Sequence, residues 1–281
     1  MVVTGGNTGI GKETVKALLT HNATVYIAGR TPQKVQGAID DLRGEIGKAA
    51  SFLQLDLADL SSIKNAVLEF LRLEQRLDVL FNSAGLMYPA VDLVTKDGYD
   101  MQFGTNVGGH FYLTKLLLPL MIASAKTSPD RKARVINTSM GHSFVSGFDF
   151  DTIRDGPKRI KAGTMKLYSQ SKFANVVFSN ELHRRYAEQG IVSVSLHPGN
   201  LKTDLQRHIS KVEAALTNFT LYPAPMGALN QLYAGTMPEG ANLGGQYLIP
   251  WARVGKAKKE TADPDVGRKL WEWLENMVND I

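Results

Sequence analysis

The chain has no cysteine, so neither disulfides nor thiolate-metal sites are available to it. That fits a reducing compartment, and the cytoplasm is the expected location. The 6 histidines are scattered without ligand spacing, so no metal site is expected. No apolar run reaches the length of a membrane span. The richest, Phe111 to Ile122, is interrupted by Thr114 and Lys115. Neither a signal peptide, a repeat nor a low-complexity linker is legible. The start is short of strand residues as well. Only Met1, Val2 and Val3 precede a glycine-rich turn, whereas a strand usually has about five or six residues. The first strand therefore reads as truncated, which leaves open an extension or anchor upstream.

What is present fits a globular α/β chain. Its 281 residues are 43% apolar, enough for a substantial core, and a single domain over 1–281 is expected. The net charge of +5 comes from short clusters such as Lys158-Arg159-Ile160-Lys161 and Lys256-Ala257-Lys258-Lys259. These read as solvated loops, not as a nucleic-acid groove, although positive potential would favour a polyphosphate ligand. Strand-like runs at Val2–Thr4, Thr24–Ala28, Ser51–Leu55, Val79–Asn82, Arg134–Thr138, Val192–His197 and Gln246–Ile249 alternate with helical ones. The helical segments are Gly9–Thr20, Pro32–Ile46, Leu60–Glu74, Gly98–Ala125, Met165–Gln189 and Met226–Thr236, with a last helix from Asp263 as N-cap and Pro264 at its first position. That alternation predicts βαβ units and a parallel sheet.

Two motifs carry chemistry. Tyr168 and Lys172 stand four apart in a helical stretch and so share a face. A free phenol has a pKa of about 10, and an ammonium held beside it favours the phenolate. The phenol then comes within working range for proton transfer to a carbonyl oxygen. Chance placement on an exposed helix gives the same spacing. Near the start, Thr4-Gly5-Gly6-Asn7-Thr8-Gly9-Ile10-Gly11 joins a β-branched run to a helix. Such a turn lets backbone approach a pyrophosphate and aims helix N-terminal amides at it. A plain surface turn is the alternative.

Together these motifs resemble the short-chain dehydrogenase/reductase family, and the remaining ones follow the family's order. Asp56-Leu57 looks like the pair that meets the adenine ring. Asn82-Ser83-Ala84-Gly85 is similar to the Asn-Asn-Ala-Gly element, with serine second. Asn106 falls where the helix asparagine sits, and Val135-Ile136-Asn137-Thr138-Ser139 looks like the strand ending in the catalytic serine. His197-Pro198-Gly199 with Leu201 and Thr203 resembles the segment that closes over nicotinamide. Leu270-Trp271-Glu272-Trp273 is similar to the closing helix of the retinol-dehydrogenase-like and WW-domain-oxidoreductase-like branch.

The resemblance implies a Rossmann-type doubly wound parallel sheet flanked by helices, and an oxidoreductase acting on an alcohol or carbonyl. Tyr168 would be the acid or base, and Lys172 would lower its pKa and hold the cofactor ribose. Ser139 would hydrogen-bond the substrate oxygen, and Asn106 would hold a water linking Lys172 to solvent. The cofactor would lie against Gly5, Asn7, Thr8, Gly9, Ile10, Gly11, Asp56, Leu57, Asn82, Ala84, Gly85, Tyr168, Lys172, Pro198, Gly199, Leu201 and Thr203. Arg30, after the second strand, favours NADP(H) over NAD(H), because it attracts the 2′-phosphate that an acidic residue would repel. A non-catalytic NADP(H)-binding regulator or redox sensor is the alternative, which the filled Asn106, Ser139, Tyr168 and Lys172 positions disfavour.

From Ser139 to Tyr168 is 29 positions, about twice the separation in many relatives. The added stretch, Ser143 to Gly163, is expected to be a mobile wall of the cleft. With Leu86, Met87, Tyr88, His142, Phe144 and Phe148, it points to an apolar or aromatic carbonyl or alcohol. The segment Asn106 to Met121 is apolar nearly all round. A homodimer through it and the Tyr168 helix is one reading; coverage by the chain's own segments is the other.

Overall fold

Successive strand residues face opposite sides of one sheet, and both sides are apolar. Val2, Tyr26, Ala28, Leu80 and Val135 enter one core cluster, while Val3, Ile27, Phe81 and Ile136 enter the other. This is the period-two pattern of a sheet buried on both faces. The structure is a computed structural model that describes residues 1–140, 145–202, 221–279 and 281.

The strands are β1 (Val2–Thr4), β2 (Tyr26–Gly29), β3 (Ser51–Gln54), β4 (Val79–Asn82), β5 (Ala133–Thr138), β6 (Ile191–Leu196), β7 (Tyr247–Ile249) and β8 (Arg253–Gly255). They form one sheet in the order β3-β2-β1-β4-β5-β6-β7-β8. All pairings are parallel except that of β7 with β8. The strand order reverses between β1 and β4, which opens a crevice beyond their carboxyl ends. Short as it is, β1 pairs on both sides, with β2 and β4.

The helices are α1 (Gly9–Thr20), α2 (Pro32–Ile46), α3 (Leu60–Leu73), α4 (Met101–Thr127), α5 (Pro157–Tyr186), α6 (Ala224–Thr236) and α7 (Pro264–Val278). Apolar residues of α1, α2 and α6 cover one face of the sheet, and those of α3, α4 and α5 cover the other. Helix α4 is capped by Asp100, whose carboxylate accepts from the Gln102 and Phe103 amides, and carries a π turn at Gly104–Gly108. By length and mean hydropathy α4 could cross a membrane, but 67% of its apolar window is buried in the fold, as in a core helix.

Three expectations need correction. Strand β8 is absent from the reading above because three residues with exposed Arg253 and Val254 carry no periodic signal. Helix α5 starts at Pro157, well before Met165, and continues across a kink at Gly163, where φ is 75°. Much of the supposed mobile wall is thus helical, and Phe150–Thr152 forms a 3-10 turn. Arg159, read as solvated, is 1% exposed. Within the chain, much of the apolar surface of α4 is covered by its own segments. Helix α7 lies over α4 and α5, its Trp271 ring 5.1 Å from Phe111 and 6.2 Å from Phe178, and the Met277 thioether against Gly108.

Candidate active site

The glycine turn after β1 is compact because its side chains are missing where backbone meets backbone. Gly5 has φ 66° and Gly9 φ 52°, the left-handed region that glycine adopts without strain. A side chain at Gly11 would collide with the Gly5 carbonyl oxygen. The N-cap residue of α1, Thr8, makes no side-chain capping bond to the helix amides. Exposed Thr8 and half-buried Asn7 and Ile10 rim this turn. The Ile10 and Leu201 side chains both pack on Gly227 of α6, so the turn and the segment after β6 meet across the cleft. Arg30, just past β2, is exposed. The described residues provide no carboxylate partner for it.

At the end of β3, the Asp56 carboxylate accepts from the Ala58 amide at 2.9 Å. The Leu57 side chain instead joins the core and packs against Gly109, so only its backbone can meet an adenine. Asn82 is likewise a strut. Its amide nitrogen donates to Thr114 Oγ1 at 3.1 Å and Asn137 Oδ1 at 2.9 Å, tying β4 to α4 and β5. Ala84 and Gly85 line the crevice. A side chain at Gly85 would come within 3.2 Å of Asn106 Oδ1 and 3.5 Å of Lys172 Nζ, so this glycine keeps open the space in front of both groups. Pro198 and Gly199 follow β6, with Gly199 (φ 101°) against the Trp251 ring. Thr203, His142 and Phe144 lie outside the described residues.

The candidate catalytic end gathers Asn106, Ser139, Tyr168 and Lys172, all at most 5% exposed. Lys172 Nζ lies 5.9 Å from the centre of the Tyr168 ring and donates to the Thr138 carbonyl at 3.0 Å. Asn175 donates to the same carbonyl at 3.1 Å. The Ser139 hydroxyl donates to the Lys172 carbonyl at 2.6 Å. Asn106 Oδ1 accepts from the Leu86 amide at 3.0 Å, while its Nδ2 donates to the Leu86 carbonyl at 3.1 Å and to Ser171 Oγ at 3.0 Å.

Electrostatics in the protein alone run opposite to the expectation for Tyr168. Burial raises the Tyr168 pKa, with Tyr88 adding to the rise. Burial also lowers Lys172 to about 8. Each group is pushed toward its neutral form because desolvation penalises both charges, and at this separation the ammonium does not offset it.

Two further residues stand out, one of which, His110, motif reading did not place. His110 is 3% exposed. Its Nδ1 lies 3.0 Å from the Asn106 carbonyl, and its Nε2 lies 2.9 Å from Thr4 Oγ1. Thr4 Oγ1 in turn accepts from the Ser83 and Ala84 amides, both at 2.9 Å. Donation from Nδ1 to the carbonyl fixes the tautomer, so Nε2 accepts from the threonine. Burial lowers the His110 pKa to about 4, with nearby Lys172 also opposing its charge. A neutral imidazole therefore links the first strand, the loop after β4 and the π turn that carries Asn106. Its apolar neighbours along the chain carry no signal of this role.

The second is Tyr88, whose ring stands edge-on to Tyr168 with centroids 5.3 Å apart. Met87 beside it is half-buried. Phe148, expected at the substrate, packs the other way. Its ring lies 4.8 Å from Phe150 and 6.1 Å from Phe173, and Phe150 continues to Trp273 at 6.0 Å. Phe148 and Phe150, both half-buried, thus pack toward Phe173 and Trp273 of α7.

The family model for short chain dehydrogenases matches residues 1–151. A short-chain dehydrogenase/reductase of Armillaria gallica is 55% identical over 280 residues, covering 100% of this chain and 90% of its own. Human retinol dehydrogenase 13 is 35% identical over 280 residues, with 96% and 82% covered. Among solved structures, Pseudomonas aeruginosa RhlG in an active-site complex with NADP has a TM-score of 0.67 at 26% identity, covering 88% of this chain and 93% of that one. A 3-ketoacyl-(acyl-carrier-protein) reductase of Brucella melitensis, complexed with NADH, shares the fold at TM-score 0.67 and 21% identity, with 88% and 94% covered.

Proposed function

The chain belongs to the short-chain dehydrogenase/reductase family, in its retinol-dehydrogenase-like branch, and from that premise we propose that it is an NADP(H)-dependent oxidoreductase of apolar or aromatic carbonyls and alcohols. The observation that carries the reading is the convergence of Asn106, Ser139, Tyr168 and Lys172 behind the opening kept by Gly85. A redox sensor would have no use for that set.

The residues fit a dinucleotide. The Gly5–Gly11 turn and the N-terminus of α1 suit a pyrophosphate, and exposed Arg30 suits a 2′-phosphate. A bound nicotinamide would supply or accept the hydride. The protein's own part is proton handling and shape. Tyr168, raised by burial, holds its proton and suits donation to a developing alkoxide. Lys172, lowered to about 8, can exchange its proton near neutrality. Ser139, once turned from the Lys172 carbonyl, donates to the same substrate oxygen.

The test is NADPH and NADH consumption with a panel of aldehydes, ketones and quinones. NADPH should be used better, since a charge-assisted contact is worth about 1.5–3 kcal/mol, or about ten- to hundredfold. Arg30→Asp should reverse the preference. Equal affinities for both cofactors in fluorescence titrations of the unmodified protein would overturn the cofactor assignment. No turnover across the panel would overturn the enzymatic one.

A further inference from the structure

Tyr88 has φ 55°. A bulky non-glycine residue in the left-handed region is strained and persists only where its surroundings over-determine it. They do so here at four points. Asn106 grips Leu86 through both backbone groups. Gln102 Oε1 accepts from the Tyr88 amide at 2.9 Å, and Gln102 Nε2 is itself held by the Thr164 carbonyl at 2.8 Å. The Thr164 hydroxyl donates to the Pro89 carbonyl at 3.0 Å. Arg159 donates to the carbonyls of Val91, Asp92 and Leu93.

Arg159 is the largest fully buried side chain among the described residues. Its guanidinium is balanced by Asp155 at 2.8 Å and by buried Asp100 at 3.7 Å. An arginine is seldom buried without partners for all its donors, and here three of its acceptors are backbone carbonyls of the segment that carries Tyr88. All this hardware holds one ring against the ring of the reacting phenol. A ring so close to Tyr168 borders the space where a carbonyl oxygen must sit to receive its proton.

We propose that Tyr88 is the specificity-determining residue of the cleft, a wall clamped beside the Tyr168 hydroxyl that admits carbonyls with one flat or small substituent and excludes those with a second bulky group. Thr164, Gln102 and Arg159 are its positioning residues. The proposal rests on the oxidoreductase reading and adds the shape of substrate that it takes.

The experiment compares wild type, Tyr88→Ala and Thr164→Val, the last being nearly isosteric and lacking the hydroxyl that donates to the Pro89 carbonyl and accepts from Gln102 Nε2. In NADPH consumption, Tyr88→Ala should raise kcat/KM for benzophenone relative to benzaldehyde by about tenfold or more, a span typical of pocket-shape discrimination. Thr164→Val should move the ratio the same way by a smaller factor. A ratio unchanged in Tyr88→Ala, whether or not the melting temperature falls, overturns the proposal. Calorimetry of diphenylmethanol and benzyl alcohol binding to NADP-loaded protein gives the same comparison without turnover. There Tyr88→Ala should tighten diphenylmethanol selectively. Equal changes for the two alcohols, or no binding of either to any variant, also overturn it. Absence of all turnover with selective binding intact would instead remove the oxidoreductase reading and leave the wall standing.

Discussion

The two ends of the cleft are shaped by different means. At the turn after β1, shape comes from atoms that are missing, because Gly5, Gly9 and Gly11 let backbone reach backbone. At the loop after β4, shape comes from side chains that reach in from elsewhere. The groups that hold Tyr88 and Pro89 are 14 and 75 positions away in the chain. A turn that carries its own conformation can receive any ligand with a pyrophosphate. A loop held from outside can present one side chain in one place.

Changes at the catalytic end should have the largest effects. Tyr168→Phe should lower turnover about 10²–10⁴-fold, the usual contribution of a positioned acid or base, while cofactor titrations stay near wild type. Lys172→Met should impair both measurements. Near-normal turnover in Tyr168→Phe would show that this end is only scaffold.

His110 should come next. Its folded pKa of about 4 lies below the ordinary 6.5, so the unfolded chain takes up this proton first. The stability it contributes is complete above about pH 6.5 and is lost as the pH falls through about 4. The depression corresponds to about 3 kcal/mol. Urea unfolding of wild type and His110→Gln across that window should give curves that converge at the acid end. Parallel curves would mean that His110 does not titrate with unfolding.

The glycine end should respond less, and unevenly. Gly11→Ala forces a methyl onto the Gly5 carbonyl and should cost about 1–3 kcal/mol, with weaker cofactor binding in fluorescence titrations. Gly37 in α2 meets nothing within 4 Å. Gly37→Ala should raise stability by about 0.5–1 kcal/mol and leave binding unchanged. If both substitutions had the same sign, the glycine turn would not be the rigid element described.

Legibility in the sequence divides along the same line. Helix α1 begins and ends where the turn and the apolar rhythm place it, at Gly9 and Thr20, because its signals are local. The Tyr168–Lys172 pair was readable from spacing on one helix, and the structure buries both on α5. The helix start at Pro157 was missed, since Gly156 and Gly163 both read as interruptions; packing of Arg159 into the Tyr88 segment offsets their cost. Phe148 was misplaced for a related reason. An aromatic residue needs an apolar surface, but the sequence does not say whether that surface is a cleft or Trp273 of a helix more than a hundred residues later.

By itself, the sequence determined the alternation of strands and helices, the glycine turn and the chemical set of Asn106, Ser139, Tyr168 and Lys172. Periodicity, backbone freedom and side-chain chemistry are properties of neighbours along the chain. Tertiary structure alone decided that α7 would cover α4 and α5, that His110 would be a neutral link, that burial would drive Tyr168 and Lys172 toward neutrality, and that Tyr88 would stand against Tyr168. Each of those depends on desolvation or on contacts between distant segments, and those exist only once the chain has closed around them.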